Sequence, residues 1–200
     1  GVANKSGQIK FSVAKDIIQL AKKEKIDVID TAIAYGESEK VIGKIGIPDF
    51  KVVSKLPSIP KKCSNIESWI NSEINNCLKR LQAKSIYGLL VHDTKILSGN
   101  KGKVIINILN KLKSQKLVKK IGVSIYDPVE LDNVMSLMEI NIVQAPLNII
   151  DRRLEISGWL SKLHKKGIEV HTRSTFLQGL LLMPRAKVPP KFDQWSNIWD

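Results

Sequence analysis

The segment VIDTAIAYGESEKVIGK, residues 28–44, runs from a predicted strand into a predicted helix and places two reactive side chains between them. Its first apolar run ends on the carboxylate of Asp30, and the phenol of Tyr35 follows five residues later. Helical periodicity then begins near Ser38. An acid at the end of a single strand carries little information, so its meaning depends on the residues that end the other strands.

Apolar runs of strand length alternate with stretches of helical period through the rest of the chain, which is typical of parallel βα units. A first helix is predicted from a Ser12 cap to about Lys23, and its Val13 and Ile17, with Ile18 and Ala21, are expected to face inward. The strands are predicted at residues 26–30, 51–55, 86–92, 120–124, 141–145 and 168–173. Further helices are predicted from Ser38, from a Ser64–Glu67 capping box, at 103–116, from Asp127-Pro128, and through Leu154 and Leu163 to Gly167.

A polar residue closes or directly follows each of the six predicted strands. In a parallel α/β barrel all carboxyl ends of the strands gather on one face, where active sites are built. A doubly wound open sheet also binds ligands at its strand ends, but it usually has a glycine-rich turn after its first strand, and no GxGxxG pattern is present. The sequence therefore favours an α/β chain with a (β/α)8 TIM barrel fold, incomplete at about six βα units and forming one domain over residues 1–200. The six strand-end positions are Asp30, Lys55, His92, Ser124, Gln144 and Arg173-Ser174.

Three of these side chains, together with Tyr35, suit the protonation of an oxygen that develops negative charge, as when a hydride adds to a carbonyl group. Tyr35 has an ordinary pKa of about 10, and an ammonium such as Lys55 held against its hydroxyl is expected to lower that pKa. Asp30 would keep the ammonium charged and oriented, and His92 would hydrogen-bond the substrate oxygen. Each residue taken alone also fits a structural role, as a turn residue, a rim aromatic, a surface lysine or a strand-end histidine. Their joint placement favours a catalytic site.

Composition limits the other classes of function. The net charge of +13 comes from lysines scattered over several helices, and only 6% of residues are aromatic, so nucleic acid is not an expected partner. No apolar run is long enough to span a membrane and no secretion signal is visible, so a cytoplasmic protein is expected. Cys63 and Cys77 lack zinc-like spacing and are predicted to be reduced and structural, with no metal site.

The same residues resemble the aldo-keto reductase family. IDTAIAYGESEKVIG, residues 29–43, is similar to that family's D-T-A-x-x-Y-G-x-S-E-x-x-x-G signature, and VVSKL, LLVHD, IGVSIY and VQAPLNIIDRR follow in the family's order. The resemblance implies that Asp30, Tyr35, Lys55 and His92 are the catalytic tetrad, with Tyr35 as the general acid. It also implies NADPH as the cofactor and a small-molecule carbonyl compound as the substrate.

The resemblance further implies a set of cofactor-binding positions. Ser124 and Gln144 match the positions that hold the nicotinamide carboxamide. RSTFLQG, residues 173–179, matches the segment that stacks on the nicotinamide and wraps the pyrophosphate in relatives. Relatives often carry an aromatic residue followed by Ser-Pro-Leu in that segment, whereas this chain has Arg173, and it has Ile125 where asparagine is usual. The implied cofactor contacts in the segment are Arg173, Ser174, Phe176 and Leu177.

The GVANKSGQ start and APLNIIDRR are similar to a bacterial branch often associated with surface-sugar biosynthesis. Compared with full family barrels, the chain is expected to lack the first strand and the C-terminal end, and its unclosed barrel edges predict self-association. Two alternatives stay open at this point. One is a non-catalytic or nucleotide-binding protein built on the same scaffold, and the other is a Schiff-base lyase that uses Lys55.

Overall fold

The computed structural model of the chain describes residues 7–198, with side chains up to Gln194. Residues 1–6 of the GVANKSGQ stretch lie outside the described residues. Six parallel strands form one sheet in chain order, and each strand pairs with the next. The strands are β1 (Val28–Asp30), β2 (Lys51–Leu56), β3 (Ile86–Val91), β4 (Val118–Ser124), β5 (Ile142–Pro146) and β6 (Glu169–Arg173).

Helices connect the successive strands, as the alternating pattern predicts. Among the described residues, no helix is both long and apolar enough to cross a membrane. The α-helices are α1 (Phe11–Lys23), α2 (Ser38–Ile45), α3 (Ile66–Leu81), α4 (Gly99–Ser114), α5 (Glu130–Leu137), α6 (Arg153–Ile156) and α7 (Trp159–Lys165). Short 3-10 helices cover Thr94–Leu97, Leu177–Leu182, Arg185–Lys187 and Pro190–Ile198.

The sheet is curled, because side chains from distant strands touch across one of its faces. In a flat sheet β1 and β5 would be about 19 Å apart, at about 4.8 Å per strand. Instead, Nε2 of Gln144 on β5 donates to Oδ1 of Asp30 on β1 at 2.8 Å. Likewise, the Tyr87 hydroxyl on β3 donates to Glu169 on β6 at 2.6 Å. The predicted incomplete (β/α)8 barrel is therefore confirmed, and the face that these contacts cross is called the concave face below.

Most of the apolar core lies on the other, convex side of the sheet, under the helices. Residues of strand and helix interdigitate there, including Leu56 and Val123 from the sheet and Ile74 and Leu109 from the helices, all fully buried. The concave face has only a small apolar group, Val53, Leu90 and Ile142. The burial of side chains on both faces explains why the strands read as nearly continuous apolar runs.

The amino end of the concave face is occupied by a polar cluster around Glu169, which we call the Glu169 cluster. Its carboxylate accepts from the Tyr87 hydroxyl, lies 2.6 Å from Nε2 of His171, and contacts the ammonium of Lys120. Burial alone would raise the pKa of Glu169, but hydrogen bonds from Lys120, Tyr87 and His171 outweigh it and lower the pKa to about 2. These contacts join β3, β4 and β6 below the apolar layer.

The caps and starts of several helices differ from the sequence prediction, and α4 and α5 begin at Gly99 and Glu130 instead of residue 103 and Pro128. Helix α1 begins at Phe11 without a Ser12 cap, and its Val13 and Ile17 are exposed rather than facing inward, while Ile18 packs against the core. Helix α3 is capped by Asn65, whose side chain accepts from the Ser68 amide at 2.9 Å. Asn65 takes the capping role because it holds the extended backbone that precedes the helix.

The predicted helix through Leu154 and Leu163 is two short helices. They are separated at Gly158, which has a left-handed φ of 77° that glycine adopts without strain.

A second glycine, which has no Cβ, lets two strands approach closely. A Cβ on Gly122 of β4 would lie 1.7 Å from the carbonyl oxygen of Ile142 on β5. This close approach brings the carboxyl ends of β4 and β5 together.

Candidate active site

The carboxyl end of the concave face holds an ion pair between a buried lysine and a partly exposed aspartate. Lys55 on β2 has only 1% of its side chain exposed, and its Nζ lies 2.7 Å from both carboxylate oxygens of Asp30 on β1. The same ammonium donates to the carbonyl oxygen of Thr31 at 3.0 Å. Burial lowers the pKa of Lys55, and the charge and hydrogen bonds of Asp30 oppose that change. The ammonium is therefore held in one position at the end of β2.

Tyr35 and His92 flank this ion pair. The two rings meet edge to face, with centroids 6.2 Å apart and an interplanar angle of 76°. The Lys55 ammonium lies 5.2 Å from the centroid of the Tyr35 ring, and Tyr35 is 38% exposed at the mouth of the site. The structure thus brings together the four residues that sequence analysis proposes as catalytic.

The electrostatics of Tyr35 differ from the sequence expectation. Burial and the neighbouring charge of Asp30 raise the pKa of Tyr35, and the charge of Arg173 opposes them. The expectation that Lys55 lowers this pKa is not met, because the ammonium donates to Asp30 and Thr31 and its charge is balanced by Asp30. A Tyr35 hydroxyl with a raised pKa keeps its proton at neutral pH.

His92 is biased toward its neutral form. Burial lowers the pKa of His92, and the nearby charges of Lys55 and Arg173 lower it further, against the opposing charges of Asp30 and Asp93. A neutral imidazole has one N–H donor and one acceptor nitrogen. His92 can therefore hydrogen-bond an oxygen beside Tyr35 without adding a second positive charge.

Two residues of the implied cofactor set, Ser124 and Gln144, lie next to the ion pair. Both are buried, and the Ser124 hydroxyl donates to Oε1 of Gln144 at 3.3 Å. The amide nitrogen of Gln144 donates in turn to Asp30. A chain of hydrogen bonds therefore runs from the end of β4 through β5 to the Asp30–Lys55 pair.

The segment after β6 holds the remaining implied cofactor residues in an unusual backbone conformation. Ser174, Leu177 and Gln178 have positive φ values of 57°, 46° and 58°. The buried Asn148 side chain donates to the Ser174 carbonyl at 3.1 Å, and Phe176 is exposed. Left-handed backbone at non-glycine residues stores about 1–3 kcal/mol each and concentrates at ligand-binding segments.

Arg173 stands at the end of β6, where relatives often carry an aromatic residue. Its guanidinium lies 4.3 Å from the centroid of the Tyr126 ring and donates to the Ile125 carbonyl at 3.0 Å. The loop that carries Tyr126 is held by Arg153, which binds the carbonyl oxygen of Tyr126 and the carboxylate of Asp127. Tyr126 and Arg153 are positioning residues that sequence reasoning missed, although the IDRR motif containing Arg153 was visible.

Sequence reasoning also missed the buried acid Glu39, which is 1% exposed. Its carboxylate accepts from the Ser54 hydroxyl at 2.7 Å, from the Cys77 thiol at 3.1 Å and from Nε of Arg80 at 2.8 Å. Nη2 of Arg80 adds an ion-pair contact at 2.7 Å that is not a directed hydrogen bond. The available signal was spacing, since Glu39 precedes the buried Ile42 by three residues on the inner face of α2.

Among the residues that the structure describes, no group of three histidine, cysteine, aspartate or glutamate side chains is placed to hold a metal ion.

Comparison with known proteins agrees with the fold and the order of the motifs. The model of the Aldo/keto reductase family matches residues 1–197 of the chain. The curated aldo-keto reductase YhdN of Bacillus subtilis (strain 168) is 27% identical over 153 residues, which cover 71% of this chain and 46% of that protein. The chain therefore spans about half the length of the curated relative it matches.

Solved structures show the same fold. Aldo-keto reductase AKR11C1 from Bacillus halodurans, in its holo form, superposes with a TM-score of 0.74 at 21% identity, covering 92% of this chain and 63% of that one. An aldo/keto reductase from Klebsiella pneumoniae in complex with NADP and acetate superposes with a TM-score of 0.73 at 19% identity, covering 94% and 66%. These likenesses establish the architecture in which the site residues stand.

Proposed function

The chain belongs to the aldo/keto reductase family, and on that basis we propose that it reduces the carbonyl group of an aldehyde, ketone or sugar with NADPH. The observation that supports this proposal best is the pairing of the buried Lys55 with Asp30 beside the edge-to-face rings of Tyr35 and His92. Burial of a charged lysine is expensive unless a partner is present, so the pair makes a fixed charged platform at the strand ends.

Each of the four side chains has a proposed role. NADPH supplies a hydride to the carbonyl carbon when it is bound. The Tyr35 hydroxyl donates its proton to the carbonyl oxygen, with the Lys55 ammonium 5.2 Å from the centroid of its ring. Asp30 keeps that ammonium charged and oriented, and neutral His92 hydrogen-bonds the carbonyl oxygen. Because Tyr35 is partly exposed, solvent can return the proton after each turnover.

The residues of the site fit a nicotinamide cofactor. Ser124 and Gln144 offer buried hydroxyl and amide groups beside Asp30, which suits a carboxamide that both donates and accepts. Ser174 and Leu177, with their left-handed backbone, and the exposed Phe176 belong to the segment proposed to lie along the cofactor phosphates. Arg173 departs from the pattern of relatives, and a separate role for it is argued below.

The proposal is tested by separating cofactor binding from turnover. Titration of the chain with NADPH and with NADH, followed by cofactor fluorescence, should give saturable binding that is tighter for NADPH. Reduction of a panel of aldehydes, ketones and sugars should then be measured for the parent chain and for Tyr35→Phe. We expect Tyr35→Phe to lose about 10²–10⁴-fold in kcat while its NADPH dissociation constant stays within about twofold.

Two outcomes would contradict the proposal in different ways. Turnover that survives in Tyr35→Phe would remove Tyr35 as the general acid. Tight NADPH binding without reduction of any carbonyl compound would favour the non-catalytic alternative.

A Schiff-base lyase is less well supported by the contacts of Lys55. The ammonium is engaged by both oxygens of Asp30 and by the Thr31 carbonyl, which leaves no lone pair for attack on a carbonyl carbon. Treatment with borohydride in the presence of carbonyl substrates should therefore leave the mass of the chain unchanged.

A further inference from the structure

Arg173 is an arginine without an anionic partner, although it lies close to two acids. Within the described part of the chain, Arg80, Arg152 and Arg153 each contact a carboxylate, whereas no carboxylate reaches the Arg173 guanidinium. Of its five N–H groups, one donates to the Ile125 carbonyl, which is its one hydrogen-bond acceptor among the described residues. Several strong donors of Arg173 are therefore left for a ligand.

Two acids at this end of the sheet, Asp30 and Asp151, are already engaged by other cations. Both oxygens of Asp30 accept from Lys55, and one of them also accepts from Gln144. Both oxygens of Asp151 accept from Arg153. Neither carboxylate therefore neutralises the positive charge of Arg173 through an ion pair, although that charge acts on Asp151 from a distance.

The position of Arg173 in the sheet directs this charge toward the reacting groups. Alternate residues of a strand share a face, so Arg173 lies on the same side of β6 as His171. His171 pairs in register with Gln144, whose side chain reaches Asp30 across the concave face. Arg173 therefore stands one layer above the Asp30–Lys55 pair, at the level where a substrate would enter between Tyr35 and the opposite strands.

The guanidinium is also held in a defined orientation. It stacks on the Tyr126 ring while one of its nitrogens is fixed by the Ile125 carbonyl. Tyr126 is exposed, and its loop is tied down by Arg153. A planar guanidinium fixed in this way is suited to bidentate recognition of a carboxylate or phosphate group.

We propose that Arg173 binds an anionic group of the carbonyl substrate, so that the preferred substrates are aldehydes or ketones that carry a carboxylate or phosphate. This inference rests on the proposed function for the carbonyl chemistry, but the anion site itself stands on the geometry of Arg173. A cofactor phosphate offers the same chemistry. The substrate is favoured as its source because Arg173 lies directly above the Asp30–Lys55 layer.

The binding experiment uses two unreactive molecules of the same shape, butanoate and butanamide. Each is titrated into the ¹⁵N-labelled chain, and the side-chain Nε–H signal of Arg173 is followed, assigned by its loss in Arg173→Leu. Butanoate should shift that signal saturably and bind at least about tenfold more tightly than butanamide. Dissociation constants from the backbone amide signals should show a loss of about 10- to 100-fold in butanoate affinity for Arg173→Leu and a smaller loss for Arg173→Lys.

Arg152→Leu serves as the matched control, since it removes an exposed arginine that is paired with Glu155 away from the site. It should leave butanoate binding unchanged. Equal binding of butanoate and butanamide, or butanoate binding that persists in Arg173→Leu, would overturn the proposal. If Arg173→Leu instead weakens NADPH binding tenfold and leaves butanoate affinity intact, the anion at Arg173 is a cofactor phosphate and the proposal is wrong.

Turnover separates this inference from the proposed function. With NADPH, kcat/KM for 4-oxobutanoate should exceed that for its methyl ester by at least about tenfold, and Arg173→Leu should remove the preference. A specificity role is supported if the ratio of kcat/KM for 4-oxobutanoate to that for its ester falls to about one in Arg173→Leu. If the chain binds butanoate selectively but reduces neither compound, the reductase proposal fails and the anion site stands.

Discussion

Replacing Glu39 tests whether a buried acid fixes the framework of the active site. Glu39 belongs to the motif that contains Asp30 and Tyr35, yet its side chain points away from them into the layer between α2 and α3. Glu39 accepts a hydrogen bond from the hydroxyl of Ser54, which is the residue before Lys55 in β2. The substitutions Glu39→Ala and Glu39→Gln are expected to destabilise the fold by different amounts.

The contacts set the expected magnitudes. Glu39→Ala removes the buried partner of Arg80 and leaves the Ser54 hydroxyl without its acceptor, and breaking a buried charged pair on one side costs about 3–5 kcal/mol. Glu39→Gln keeps an acceptor oxygen for Ser54 and Cys77 but loses the charge opposite Arg80. The loss of one charge-assisted hydrogen bond corresponds to about 1.5–3 kcal/mol.

Urea unfolding followed by circular dichroism measures both effects. For a slope of about 2–3 kcal/mol per molar urea, Glu39→Ala should lower the midpoint by roughly 1–2.5 M, and Glu39→Gln by about half as much. Glu155→Gln is the matched control, because Glu155 makes two hydrogen bonds to Arg152 on the exposed surface. It should leave the midpoint unchanged. A midpoint for Glu39→Ala that equals that of the control would refute the argument.

Three further predictions concern other parts of the fold. Because the pKa of Glu169 is held at about 2 by its hydrogen bonds in spite of burial, below an ordinary value of 4.5, its stabilisation is present above about pH 4.5 and is lost as pH falls toward 2. Glu169→Gln should therefore flatten the acid decline of the urea midpoint. Burial raises the pKa of the Cys77 thiol, so Cys63 should be the thiol that reacts rapidly with a disulfide reagent in the native chain, and Cys63→Ser should abolish that rapid reaction. Gly122→Ala should lower the free energy of unfolding by about 3 kcal/mol in the same urea assay, since its Cβ would overlap the Ile142 carbonyl.

The sequence predicts the strands well because their side chains are buried on both faces, which makes each strand a short apolar run with a polar end. That pattern placed Lys55 and Ser124 at the carboxyl edge, and the structure has them there. Curling of the sheet then brings Gln144 within hydrogen-bonding distance of Asp30. The tetrad could be proposed before its contacts were known, since the carboxyl ends of parallel strands share one face.

Other features depend on contacts that a local pattern does not contain. The apolar stripe of α1 predicts an inward face, but its burial depends on which elements pack against the helix, and Val13 and Ile17 are exposed. The pKa of Tyr35 depends on where the Lys55 donors point, and they point to Asp30 and Thr31. The position of Arg173 at a strand end could not reveal that it has no carboxylate partner. That depends on Lys55 pairing with Asp30 and on Arg153 pairing with Asp151.

The concave face explains why the strand register matters for the proposed chemistry. Every second residue of β2 lies on this face. Lys51 lies at its amino end, Val53 in the apolar layer and Lys55 in the candidate active site. A shift of one residue would exchange Lys55 for Ser54 or Leu56 and leave Asp30 without its ammonium. The same shift would move Val53 out of the apolar layer that separates the Glu169 cluster from the tetrad. Packing and the Asp30–Lys55 pair therefore select the same register, and the residues that hold the sheet together also hold the proposed catalytic groups in place.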